Sequence, residues 1–145
     1  MTRARVLAAA VVAMVVTCGL STDAHARRRV RVTVISDPVI QDAMQEVLAG
    51  TPEVDVVPAR RAELELRATV AELRSQRTHA GVEVRARVTV VVADARGGAV
   101  RAMLTGRAGA RGGDDVNRLS DNALRAAVRG ALRSIGQHGH TLARR

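Results

Sequence analysis

Val82, Val84, Ala86, Val88, Val90 and Val92 alternate with Glu83, Arg85, Arg87 and Thr89. A strand sends successive side chains to opposite faces, so this period of two buries one side and wets the other, whereas a helix would scatter the same residues around its axis. The flanking segments repeat the pattern. Leu64, Leu66, Ala68 and Val70 oppose Glu63, Glu65, Arg67 and Thr69, and the alternation slips between Val70 and Leu73, as the extra residue of a β-bulge produces. After a turn through Asp94, Ala95, Arg96, Gly97 and Gly98, the residues Val100, Ala102, Leu104, Gly106, Ala108 and Ala110 oppose Arg101, Thr105, Arg107 and Arg111. Three such strands joined by tight turns predict an antiparallel meander with one apolar and one polar face.

The apolar face needs a cover, and two segments of helical period supply it. Val39, Ile40, Ala43, Met44, Val47 and Leu48 recur at helical spacing, with Asp37 as cap, Pro38 at the first turn, and Gly50 and Pro52 as the stop. Leu119, Ala123, Leu124, Ala127, Val128, Ala131, Leu132 and Ile135 do the same, with Asp115 or Ser120 as cap and Gly136 near the end. Gly130 inside this helix costs about 1 kcal/mol relative to Ala, which points to a close helix–sheet contact. Short strands are expected at Val30–Val34, where Val30, Val32 and Val34 alternate with Arg31 and Thr33, and at Val54–Val57, ended by Pro58. The expected fold is α+β in the order β-α-β-β-β-β-α, with both helices on one face of the sheet.

The chain has no Phe, Tyr or Trp, so its core must be built from Val, Leu, Ala, Ile and Met. Its one cysteine, Cys18, rules out an internal disulfide framework. Residues 1–26 read as a secretory signal: Arg3 and Arg5 form a basic head, Val6–Val16 is an apolar run, and Ala24-His-Ala26 offers a small-x-small site, placing the cut after Ala26. Cys18, at the end of the apolar run, is the alternative as a lipid-attachment residue. Even read to Leu20, the run falls short of the about 20 residues that span a bilayer, so no transmembrane anchor is expected. Arg27, Arg28 and Arg29 then become the new amino terminus. Residues 27–137 form a single expected domain, and 138–145 a flexible tail.

The segments AELELRATVAELRSQ, VEVRARVTVVVADARGGAVRAMLTGRAGAR and LSDNALRAAVRGALRSI together resemble the small α/β domains of bacterial envelope proteins. These include the lipoprotein activators of penicillin-binding proteins, the curli secretion lipoprotein, the amino-terminal domain of the Tol-system translocation protein, and uncharacterised secreted domains attached to HEAT repeats. The matching pieces are Leu64–Leu73, Val88–Gly98 and Leu119–Ile135. The resemblance implies non-enzymatic work, docking on other envelope components, and carries over no functional residue.

Catalytic chemistry finds few footholds. A nucleophile needs an adjacent base and an orienting group, yet the histidines beyond residue 26 are His79, in a turn, and His138 and His140, in the tail. The last two could touch a metal, but zinc takes three or four ligands. Glu63 and Glu65 share a strand face, where they are expected to pair across strands with Arg85 and Arg87. No catalytic residue, metal site or cofactor is therefore predicted.

All 23 basic residues are arginine, against 14 acids, for a formal charge of +9. Such a surface attracts anions. Arg85, Arg87, Arg101 and Arg107 on the polar sheet face, and Arg125, Arg129 and Arg133 with Arg118 along the last helix, are candidates to hold phosphate groups. Base stacking has no aromatic to use, which disfavours nucleic acid. The expected function is an exported accessory module, periplasmic or extracellular, that docks on an envelope protein. The alternative is an arginine-rich binder of anionic lipid or lipopolysaccharide.

Overall fold

A computed structural model describes residues 27–34 and 37–138. The elements are β1 (Arg28–Val34), α1 (Pro38–Ala49), β2 (Val54–Val56), a 3-10 turn at Ala59–Arg61, β3 (Leu64–Thr78), β4 (Gly81–Asp94), β5 (Val100–Gly112) and α2 (Val116–His138). They form a five-stranded sheet in the order β2-β1-β3-β4-β5. The β-α-β-β-β-β-α succession and the β3-β4-β5 antiparallel meander are those expected from the sequence, with the bulge between Val70 and Glu72. The amino-terminal strands add a feature that the sequence pattern did not show: β1 lies parallel to both β2 and β3. Helix α1 is the crossover that parallel pairing of β1 and β2 requires.

Local chemistry sets the helix ends. The Asp37 carboxylate accepts from the Val39 amide at 2.9 Å, Pro38 opens the first turn, and Gly50 closes α1. At α2 the Asp115 carboxylate accepts from the Arg118 amide at 3.0 Å, while the Ser120 hydroxyl donates back to the Val116 carbonyl. Asp115, not Ser120, is the cap.

Both helices cover one face. Val82, Val84, Ala86, Val88, Val90 and Val92 of β4 are all buried, in one cluster with Ile40, Ala43, Met44 and Leu48 of α1 and Ala123, Leu124, Ala127, Val128, Ala131 and Leu132 of α2. Each fully buried valine contributes roughly 1.5 kcal/mol or more. One residue of the expected apolar face is out of place. A register shift at Arg101 pairs Val100 with Ala93, while Ala102 pairs with Val92, and Val100 is left 63% exposed.

The close contact anticipated at Gly130 exists, but its demanding member is on the strand. A Cβ on Gly106 would overlap the Ala127 carbonyl oxygen and come within 2.6 Å of the Ala131 amide nitrogen. A Cβ on Gly130 would meet the Gly106 Cα at an ordinary 3.9 Å. Gly106→Ala should therefore lower stability by about 3 kcal/mol or more, because backbone cannot rotate away as a side chain can. Gly130→Ala should be neutral or add up to about 1 kcal/mol. Urea unfolding of the two variants measures both effects. Equal losses would contradict this packing.

Candidate functional site

The helix-free face of the sheet is tiled by acid–base pairs. On β3, Glu65 is buried, its side chain 5% exposed, although it lies on the polar face. Arg31, its register partner on β1, donates to it at 2.7 Å; Arg67 donates at 2.9 Å and the Thr33 hydroxyl at 2.9 Å. The Arg67 hydrogen bond is the main cause that holds the Glu65 carboxyl down at about 2; burial opposes it, and Arg31 and Thr33 reinforce it. Glu63 is paired with Arg29 in the same way, the guanidinium Nε donating at 3.0 Å.

These pairs correct the expectation that Glu63 and Glu65 would meet Arg85 and Arg87. The parallel β1–β3 register brings the β1 arginines alongside, whereas on the β4 side Glu65 faces Ala93. Arg85 and Arg87 find other acids: Arg87 bonds Glu72 at 2.8 Å, and Glu83 accepts from Arg85 at 2.9 Å and Arg111 at 3.0 Å. Those bonds, Arg85 first, lower the Glu83 pKa.

Of the eight arginines singled out as anion binders, three come together. Arg85, Arg87 and Arg107 line a shallow groove of about 370 Å³ with Glu72, Glu83 and Gly109. Arg101 is held away from it by a bidentate pair with Asp94, at 2.9 and 2.8 Å, which lowers the Asp94 pKa. Arg125, Arg129 and Arg133 lie on α2, in the layer on the opposite face of the sheet. Arg125 is 3.7 Å from Glu46 of α1, and the Arg129 Nε donates to the Arg125 carbonyl at 3.4 Å. Arg107, directly opposite Arg87 in the β4–β5 register, has no side-chain hydrogen bond or ion pair among the described residues, which on the sheet face sets it apart from Arg85, Arg87 and Arg101.

Among the described residues the sheet also has a backbone edge without a partner, which side-chain reasoning overlooked. The Ala95 amide donates toward β3, to Glu63, and the Asp94 amide donates the other way, to Ala99. Backbone groups alternate sides along a strand, so the even residues of β4 address β5 and pair with even residues of β5. The amides and carbonyls of Met103, Thr105, Arg107, Gly109 and Arg111 therefore point out of the sheet, past its last strand. The edge follows from topology: β1 pairs with β3 and not with β5, which leaves β5 last in the sheet.

The remaining candidates stay scattered. His79 is exposed in the β3–β4 turn. His140, residues 1–26 with Cys18 and the Ala26 cut, and the segment 139–145 lie outside the described residues. Among the described residues no three His, Cys, Asp or Glu side chains form a metal-holding group, and no helix is long and apolar enough to cross a membrane. Arg27, expected to be the raw new terminus, pairs with Asp55 at 3.4 Å, and Arg28 begins β1.

No protein-family model matches the sequence, and no curated protein matches it. Solved structures match its fold. A candidate lipoprotein from Caulobacter crescentus is 19% identical with a TM-score of 0.56, covering 80% of this chain and 92% of its own. A protein from Xanthomonas campestris is 11% identical with a TM-score of 0.58, covering 80% and 89%. The PelC dodecamer subunit from Paraburkholderia phytofirmans is 17% identical with a TM-score of 0.52, covering 73% and 88%. At these identities the shared property is the α+β fold.

The Glu65 pairs make a pH prediction. A carboxyl held below its ordinary 4.5 stabilises the fold while ionised, so its contribution is present above about pH 4.5 and is lost as pH falls toward about 2. Glu65→Gln should cost about 2 kcal/mol at pH 7, less than a fully buried pair because Arg67 is half exposed. The variant's stability should also fall less than the wild type's between pH 4.5 and 2. Urea unfolding across that range tests it, and parallel curves would remove Glu65 from this role.

Proposed function

We propose that the chain is an exported, non-enzymatic accessory module of the bacterial cell envelope that docks on a protein partner. The observation that carries this reading is the β5 edge: thirteen residues of strand end the sheet, with outward backbone groups and with Val100 and Met103 63% and 67% exposed. Unpaired edge groups beside exposed apolar side chains are what strand-adding partners use. The basic head and apolar run of residues 1–26 support export. The fold shared with a candidate lipoprotein, and the resemblance to penicillin-binding-protein activators, the curli secretion lipoprotein and the Tol translocation protein, fit envelope work of this kind.

A second reading, direct binding of anionic lipid or lipopolysaccharide, draws on Arg118 and Arg133, whose side chains have no hydrogen-bond or ion-pair partner among the described residues and lie on the surface of α2. Ionic strength separates the two. At 1 M salt the screening length is about 3 Å, so an anionic surface would be released while an interface with an apolar centre holds. Crosslinking carried out in envelopes already equilibrated at 0.1 M or at 1 M salt should capture one protein partner at both. Loss of every protein partner at 1 M, together with salt-sensitive binding to vesicles containing phosphatidylglycerol, would favour the second reading.

A further inference from the structure

The docking reading leaves open what the partner presents. Strand β5, Val100–Gly112, contains three arginines and no acid. Arg101 and Arg111 are already neutralised by Asp94 and Glu83. Arg107 is not, and it faces Arg87 across the β4–β5 ladder. Like charges directly opposite are unfavourable, and an opposite charge on a neighbouring strand is favourable. On the polar face Arg107 therefore calls for an acid on the one side where a strand can still be added. Four residues earlier on that face, Met103 is 67% exposed. A second copy of the chain offers a poor occupant: its β5 brings no carboxylate to Arg107, and pairing the whole strand with itself sets Arg101 against Arg111. The segment 139–145 is no better, carrying two arginines and no acid.

We propose that the outer edge of β5 takes up an extended acidic segment of a partner protein by strand addition, with a carboxylate opposite Arg107 and an apolar side chain, four residues along, opposite Met103. This inference rests on the docking reading and names its occupant. The outward amides and carbonyls of Met103, Thr105, Arg107, Gly109 and Arg111 supply the ladder. Arg107 selects the charge. Between the two anchors Thr105 continues a row with Thr69 and Thr89, which favours a small hydroxyl or β-branched residue in the added strand.

The probe is a blocked, dye-labelled peptide of alternating Val and Thr, carrying Glu and Val four residues apart on one face, with a twin in which Lys replaces Glu. Fluorescence anisotropy should show the Glu peptide binding on the order of fivefold more tightly than the Lys peptide. Arg107→Glu should invert that preference. Gly109→Pro removes an outward amide without touching the β4 ladder, and should weaken the Glu peptide about tenfold or more, while Gly109→Ala binds as the wild type does. If Gly109→Pro fails to fold, the charge inversion at Arg107 still decides.

Equal affinity for the two peptides, or indifference to both Gly109→Pro and Arg107→Glu, overturns the proposal. So does a dimer in light scattering that Gly109→Pro dissociates, because a second copy would then own the edge. A large gain in peptide affinity on removing residues 139–145 would give the edge to the chain's own tail and has the same effect. The docking reading is tested separately: an envelope partner still crosslinked by Gly109→Pro and Arg107→Glu keeps that reading and removes this one. Absence of any partner for the wild type removes docking, whatever the peptides do.

Discussion

The rest of the structure depends on how closely α2 lies against the sheet at Gly106. A core without aromatic rings has only short side chains to fill the space between layers, and interiors tolerate few voids. The layers must therefore approach until helix backbone rests on strand backbone. Gly106, with Ala127 and Ala131 above it, allows this, and the same contact fixes α2 lengthwise over β4 and β5. Val84, Val88 and Val90 beneath and Leu124 and Val128 above then interlock without rings.

Committing both helices to one face leaves the other to be completed largely by charged and polar side chains. Arginine suits that task because its stem can lie along the sheet while its planar head reaches a carboxylate. The pairs Arg31–Glu65–Arg67, Arg87–Glu72 and Arg111–Glu83–Arg85 run across the surface in this way. Much of the arginine excess that looks like a ligand site in the sequence is absorbed here as structure. What is left over is Arg107 on the last strand, a few cations on α2, and Arg60, Arg61, Arg77 and Arg96 in or beside the turns. The shallow groove and the outer edge of β5 meet at Arg107, which brings one unpaired charge beside outward backbone groups.

The meander, both helices, their caps and the bulge after Val70 were legible because each is written in a local period or a local side chain. Three things were not. The parallel pairing of β1 with β3 depends on α1 carrying the chain across, and nothing within Arg28–Val34 records its neighbours, so the acids of β3 were matched with the wrong arginines. Val100 kept the period of its strand, yet a one-residue shift at Arg101 turned it outward. The strain point was sensed at Gly130 because glycine inside a helix is conspicuous, whereas Gly106 in a strand of alternating small residues is not, although it is the position with no room. Of the candidate site, the arginines were visible in the sequence, but their division between two sides of the molecule and the free edge beside Arg107 follow only from topology.

These features converge on one arrangement, a helix layer locked to one face and a last strand whose outer backbone has no partner among the described residues. Amide hydrogen exchange read residue by residue along β5 in the free chain tests it most directly. Ala102, Leu104, Gly106, Ala108 and Ala110 should exchange slowly, through near-global opening, while Met103, Thr105, Arg107, Gly109 and Arg111 exchange about a hundredfold faster or more. Uniform slow exchange at both sets would mean that the edge is already covered, and would contradict the account.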